Sequence, residues 1–311
     1  MGRTETNGLS VRTATTDIAA RPAWPGLLLA AAGAVAFSGK AIIAKLAYRH
    51  GVDAITLVMY RMLFALPLFL LLAWWAGRGK PALQRRDQLA VAGLGFCGYY
   101  LASTLDFAGL QHISASFERL ILYLNPTLVL GLSVVLFGCR VTRAQGLAMA
   151  ISYGGVLLVF AHEVNWAGPH TALGAALVFG SAASYAVYLV YSGQEVARLG
   201  ALRLTGLATS VACALCIAQF LLLRPLSAMA VAPEVLWLSL LNATLCTFAP
   251  VLMVMMAIER VGSTMTAQTG MIGPVSTILM GVLILGEPFT PWLAAGTLLV
   301  LAGIWLLARA R

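Results

Sequence analysis

Charge is scarce in this chain. Of its 311 residues only 10% are charged, against 60% hydrophobic, whereas an average soluble domain carries about 25% charged residues. That scarcity excludes a soluble globular domain, a disordered chain and a coiled coil, and the mean hydropathy of +0.89 agrees. Catalytic signatures are also missing: there is no H-E-x-x-H, no phosphate loop and no G-x-S-x-G, so the common zinc, nucleotide and serine chemistries have no footing. The four histidines do not fall at metal-ligand spacing on one helix, and no metal site is expected. Five cysteines give no disulfide framework, and Cys213 and Cys216 read as small helix-packing residues. Gly93, Gly95 and Gly98 spell a dinucleotide fingerprint, but no strand precedes them, so close helix packing explains them better.

What the chain has in abundance is long apolar runs rich in Leu, Ala and Gly. A bilayer-crossing helix needs about 20 such residues. Ten runs fit, at 25–46, 54–76, 88–110, 114–137, 142–160, 171–192, 203–223, 235–257, 262–285 and 291–308. The expected fold is therefore an all-α membrane protein of ten transmembrane helices. Residues 1–23 are polar and Thr-rich and lack the apolar stretch of a signal peptide, so they read as a disordered cytoplasmic tail.

The formal net charge of +9 invites a nucleic-acid partner, but its distribution argues otherwise. With the N-terminus inside, fourteen of the 20 Lys and Arg fall on cytoplasmic segments and three, Lys45, Arg49 and Arg224, on outer loops. Positive charge on cytoplasmic flanks fixes orientation. Both termini are expected in the cytoplasm, and the basic charge is a topology signal.

The sequence also repeats. Shifted by 148 residues, the halves align without a gap: Gly26 meets Gly174, Pro126 meets Pro274, Gly138 meets Gly286 and Gly155 meets Gly303. The expected units are 24–163 and 170–311. Each has five spans, an odd number, so the second enters the membrane from the opposite face and the repeats are inverted. Secondary transporters are often built this way, with the binding site at helix breaks near the midplane. Asn125-Pro126 and Gly273-Pro274 fall mid-span at the same offset. Each proline leaves a carbonyl four residues back, Leu122 or Gly270, without its helical donor, and lipid cannot satisfy it.

The run Gly286-Glu287-Pro288, followed by the apolar, Gly-containing stretch 293–303, resembles the ending of an EamA repeat. Gly138-Cys139-Arg140 stands at the same place in the first half, with Cys139 in place of Glu287. Ten spans and a 5+5 repeat also resemble the drug/metabolite transporter superfamily over residues 25–308. The resemblance implies a cofactor-free carrier, monomeric or homodimeric, for amino acids, nucleotide-like compounds, drugs or other small metabolites, with a central cavity. It also implies export as the direction.

Five charges lie inside the expected spans: Lys40, Arg61, Asp106, Glu118 and Arg119. Each would cost roughly 2.5–3.5 kcal/mol at a lipid-exposed helix centre, so they belong in a protein interior or wet cavity with partners. All five sit at one depth, roughly 6–11 Å below the outer surface at 1.5 Å per residue. In the second repeat their equivalents are Tyr188, Thr209, Val254, Thr266 and Ala267. Three roles fit this layer: an ion-pair network that closes an outer gate or locks helices, a surplus cation for a substrate's anionic group, or basic chains reaching up to water. Asp106 or Glu118 could carry a coupling proton. Deeper in the spans lie Tyr99, Tyr100, Tyr123, Tyr185 and Tyr188, whose hydroxyls need partners.

The expected function is a secondary transporter of small organic metabolites such as amino acids, working by alternating access in the inner membrane. Its candidate substrate contacts are Lys40, Arg61, Tyr99, Tyr123, Asn125, Tyr185 and Tyr188. Its bending points are Pro126, Gly273 and Pro274. The runner-up is an exchanger of anionic or phosphorylated metabolites using Lys40 and Arg61. A membrane-embedded enzyme would draw on Asp106, His112 and Glu118 at the outer corner of the third and fourth spans.

Overall fold

The computed structural model describes residues 24–138, 141–167, 170–270 and 272–309. The expected tail, 1–23, and Cys139 lie outside the described residues. Among those described, regular structure is helical throughout and no strand occurs.

The first half runs through α1 (Trp24–Tyr48), α2 (Ala54–Gly77) and α3 (Arg85–Gly95), which passes through a π-helical stretch, Phe96–Leu101, into α4 (Ala102–Leu110). Then come α5 (Ala115–Leu122), α6 (Asn125–Phe137) and α7 (Arg143–Ala167). The second half holds α8 (Thr171–Leu199), α9 (Ala201–Leu223), α10 (Pro233–Ala243), a π-helical stretch Thr244–Phe248, α11 (Ala249–Gly270), α12 (Ile272–Met280), a further π-helical stretch Gly281–Leu285, and α13 (Pro291–Arg309). Among the described residues, eight helical segments are long and apolar enough to cross a membrane, and Ile272–Leu285 is a shorter apolar one. The third expected span is helical from Arg85 to Leu110, but Arg85, Arg86, Asp87, Gln88 and Asp106 dilute its apolar character. The connection expected at 258–261 is helical, and α11 runs unbroken to Gly270. Pro274 of α12 has no backbone N–H to give to the carbonyl of Gly270, which therefore needs another donor.

The packing follows the repeat. The most extensive contacts join α2 to α9, α7 to α13, α1 to α11 and α4 to α8. Under the 148-residue shift α2 and α9 exchange, as do α7 and α13, while the α1–α11 contact maps onto the α8–α4 contact. Individual atoms repeat too. A Cβ on Gly155 would meet the Gly296 carbonyl oxygen at 2.7 Å, and one on Gly303 would meet that of Ala148 at 2.7 Å. These are one contact seen twice, since Ala148 and Gly296 are also 148 apart. Only glycine lets the α7 and α13 backbones approach so closely. Gly138 and Gly286 end their helices in the left-handed region, with φ of 66° and 73°.

One irregularity recurs. The π-helical stretches beginning at Phe96 and Thr244 are 148 residues apart, and both border the centre. The turn at Tyr123 and Leu124 between α5 and α6 belongs to the first half, and the π-helical stretch Gly281–Leu285 to the second.

Candidate functional site

Between the repeats lies a cavity of about 310 Å³. It is lined by Lys40, Arg61, Tyr99, Tyr123, Asn125 and Tyr185 from the expected substrate contacts, and by Asp106, Arg119 and Gly273. The charged layer and the proline-marked breaks therefore border one chamber rather than two levels. Tyr188 is not in the wall: it lies 7% exposed behind Tyr185, ring on ring at 5.4 Å, with its hydroxyl 3.4 Å from that of Tyr99. Glu118, Pro126 and Pro274 also stand behind the lining.

The matched helix irregularities create the wall. Gly98 and Tyr99 sit in the first π-helical stretch and Thr247 in the second. Such a stretch displaces one carbonyl from the regular ladder, and the Thr247 hydroxyl donates to the Asn242 carbonyl five residues back at 2.8 Å. The hydroxyl of Tyr123 donates to the Gly270 carbonyl at 2.9 Å. That is the carbonyl which Pro274 deprives of a backbone donor, so the protein interior supplies the missing partner.

The five intramembrane charges divide into two sets. Lys40 holds both acids: it pairs with Asp106, and its Nζ is 3.2 Å from Glu118 Oε1. All three side chains are buried. Lys40 is thus the cation in direct contact with both carboxyl groups.

Arg61 and Arg119 form the other set. No carboxylate lies within 4 Å of either among the described residues. Arg61 Nε donates to Thr247 Oγ1 at 3.0 Å and Arg119 Nε to Thr277 Oγ1 at 3.0 Å. Each threonine passes its own proton to a backbone carbonyl, that of Asn242 or Gly273, so each hydroxyl oxygen is left free to accept. Arg119 Nη2 also donates to Ser38 Oγ at 2.7 Å, and Arg61 Nη1 reaches Ser103 at 3.5 Å. Arg61 sits over the Phe107 ring at 5.0 Å and Arg119 over Phe37 at 5.4 Å. Sequence reasoning missed Thr247, Thr277, Ser38 and Phe37. Their one signal was a polar or bulky residue within a small, apolar run.

Toward Tyr48 and His112 the chamber is capped by a dry core in which Ala44, Ala47, Phe107 and Leu110 are fully buried. The Tyr48 hydroxyl closes onto the Phe107 carbonyl at 2.7 Å. Glu287 secures the same end, accepting from the backbone N–H groups of Ala115 at 2.7 Å and Ser116 at 3.2 Å, and from the Ser116 hydroxyl. A carboxylate at a helix N-terminus satisfies orphan donors and the positive end of the helix dipole, so a second-repeat loop grips the helix carrying Glu118 and Arg119. At the opposite end Arg198 of α8 pairs with Asp87 of α3 and with Glu195.

The corner considered for enzymatic chemistry is not assembled. Asp106 and Glu118 are held by Lys40, while the His112 ring lies 5.5 Å from that of His170. Burial, then the neighbouring His170 and Lys45, push the His112 imidazole below its ordinary value.

The sequence profile described as the EamA-like transporter family matches residues 24–161 and again 172–309. The uncharacterized transporter YcbK of Bacillus subtilis (strain 168) is 31% identical over 280 residues, covering 86% of this chain and 87% of that protein. A protein of known crystal structure superimposes over 91% of this chain and 97% of its own, with a TM-score of 0.62 at 18% identity, a likeness of fold alone.

Proposed function

Because the chain belongs to the EamA-like transporter family, and is thus a multi-pass membrane protein rather than an enzyme, we propose that it is a secondary transporter of small organic metabolites such as amino acids. It works by alternating access, and its usual direction is export. The observation that carries this reading is the chamber between the repeats, bordered by matched π-helical stretches and capped on one side by apolar core. A chamber on a pseudo-twofold axis can be closed from either face by the same set of helices.

The proposal counts ten crossings. The segment Arg85–Leu110 crosses despite its charges, because α8 and α9 pack along it. The second half of α11 with Ile272–Leu285 makes the ninth crossing. Both termini then lie in the cytoplasm, and in a bacterium the membrane is the inner one. The capped side of the chamber faces outward and the Asp87–Arg198 pair lies inside.

The test is counterflow in proteoliposomes: vesicles preloaded with one unlabelled compound transiently accumulate the labelled form. Saturable counterflow supports a carrier. Flux that rises linearly without saturation indicates a channel, and absence of flux for anionic, neutral and cationic compounds alike overturns the reading. Impermeant thiol labelling of single cysteines added at either terminus checks the topology.

A further inference from the structure

We propose that the chamber selects an organic carboxylate, held by Arg61 and Arg119, with an apolar or aromatic body against the surrounding rings. The inference deepens the transporter reading and rests on it.

The argument begins with unspent hydrogen-bonding capacity. A guanidinium carries five N–H donors and stays charged. The described partners of Arg61 use Nε and one long Nη1 contact, and those of Arg119 use Nε and one Nη2 contact, all to neutral hydroxyls. Rings beside the cations accept none of the remaining donors. Both side chains are about 5% exposed and both line the chamber. A buried charge without a counter-charge is costly, and the two nearby acids are already held by Lys40. The matched threonine supports fix each Nε, so the free Nη edges are oriented before a ligand arrives.

The charge of the ligand follows from the pairing. Lys40 occupies both nearby acids, so the two arginines face the chamber without an acid of their own, and a planar carboxylate fits a guanidinium edge through two parallel hydrogen bonds. The body of the ligand is set by the wall: Phe37, Tyr99, Tyr123 and Tyr185 present rings around about 310 Å³. The reading moves the anion contact from Lys40 and Arg61 to Arg61 and Arg119.

The test uses purified full-length protein in detergent and four probes with one body: 3-phenylpropionate, L-phenylalanine, L-phenylalaninol and phenyl phosphate. Both carboxylates are expected to raise the melting temperature with dose, and L-phenylalaninol is expected to have no effect. Arg61→Lys and Arg119→Lys, which keep the charge but lose the fork, should each weaken 3-phenylpropionate about tenfold or more. Since changing a buried arginine can disturb folding, Thr247→Val and Thr277→Val are measured alongside. They keep both cations, and each should weaken binding severalfold in protein that still melts cooperatively. Equal binding of L-phenylalaninol overturns the proposal, as does a preference for phenyl phosphate, unchanged affinity in all four variants, or no shift with either carboxylate at millimolar concentration. If counterflow of a neutral or cationic compound then persists, the transporter reading stands and only the carboxylate assignment falls.

Discussion

The two repeats share a backbone and differ in chemistry. The widened turn, the left-handed glycine cap and the glycine–carbonyl contact all recur 148 residues on. The five buried charges do not: the second half has Tyr188, Thr209, Val254, Thr266 and Ala267 in their places. Yet the second half supplies Thr247 and Thr277 as the partners of the first half's arginines. Symmetry is kept where backbones must meet and abandoned where a ligand with one charged end must be oriented. A symmetric set of charges would offer such a ligand two equivalent poses.

The largest test of this contrast is Lys40→Met. It leaves Asp106 and Glu118 buried without their cation and should cost about 3–5 kcal/mol, read as a large drop in melting temperature in detergent. At the equivalent position Tyr188→Phe should cost about 1 kcal/mol, since it removes neutral hydroxyl contacts to Tyr99 and Thr205 and strands no charge. The triple change Lys40→Met, Asp106→Leu and Glu118→Leu should recover most of the loss, because removing every member leaves no charge stranded. If Tyr188→Phe proves as damaging as Lys40→Met, the contrast between halves fails.

The glycine contact tests the symmetric part. Gly155→Ala and Gly303→Ala each drive a methyl group against a carbonyl oxygen and should each cost about 1–3 kcal/mol. Matching losses are the expected outcome, and a silent change at either site would mean that the α7–α13 seam is not a two-fold contact.

Next is Glu287→Gln. It keeps a hydrogen-bonding oxygen but removes charge from the α5 N-terminus, and should lower stability by about 1 kcal/mol. The first repeat has Cys139 at this place and can offer no carboxylate. An unchanged melting temperature would show that the grip contributes through shape alone.

The smallest effect is pH-dependent. Burial pushes the Asp53 carboxyl up, but hydrogen bonds from Thr56 and from Arg224 outweigh it and hold the group below its usual value. A depressed carboxyl stabilises the fold above its unfolded pKa and loses that contribution as pH falls through the folded one. The loss therefore appears below about pH 4. With Asp53 partly exposed it should stay under about 1 kcal/mol. Asp53→Asn should flatten that part of the melting-temperature profile, and an unaltered profile would assign the acid sensitivity elsewhere.

Much of the architecture was legible because lipid makes apolar length a strict signal. The need for another donor at the Gly270 carbonyl was legible because Pro274 removes a named hydrogen bond. The π-helical stretches were not: Phe96–Leu101 and Thr244–Phe248 hold no proline and read as ordinary apolar helix. The partition of the charges was also hidden. Glu118 and Arg119 are adjacent, so they point about 100° apart around the helix axis. Which of them meets Lys40 depends on the rotation of α5, and that rotation is fixed by Glu287 from the other end of the chain. Sequence depth placed the layer; it carried no information on that angle.

The α7–α13 seam has a mechanical consequence. Points on a two-fold axis keep their place when the two sides exchange roles, and here two backbones meet through glycine, with Val159, Val300 and Ser152 packed over the contact. On the alternating-access proposal this pair would serve as an axle that resists shear while the rest of the bundle turns about it. A crosslink within the pair is then expected to leave turnover intact.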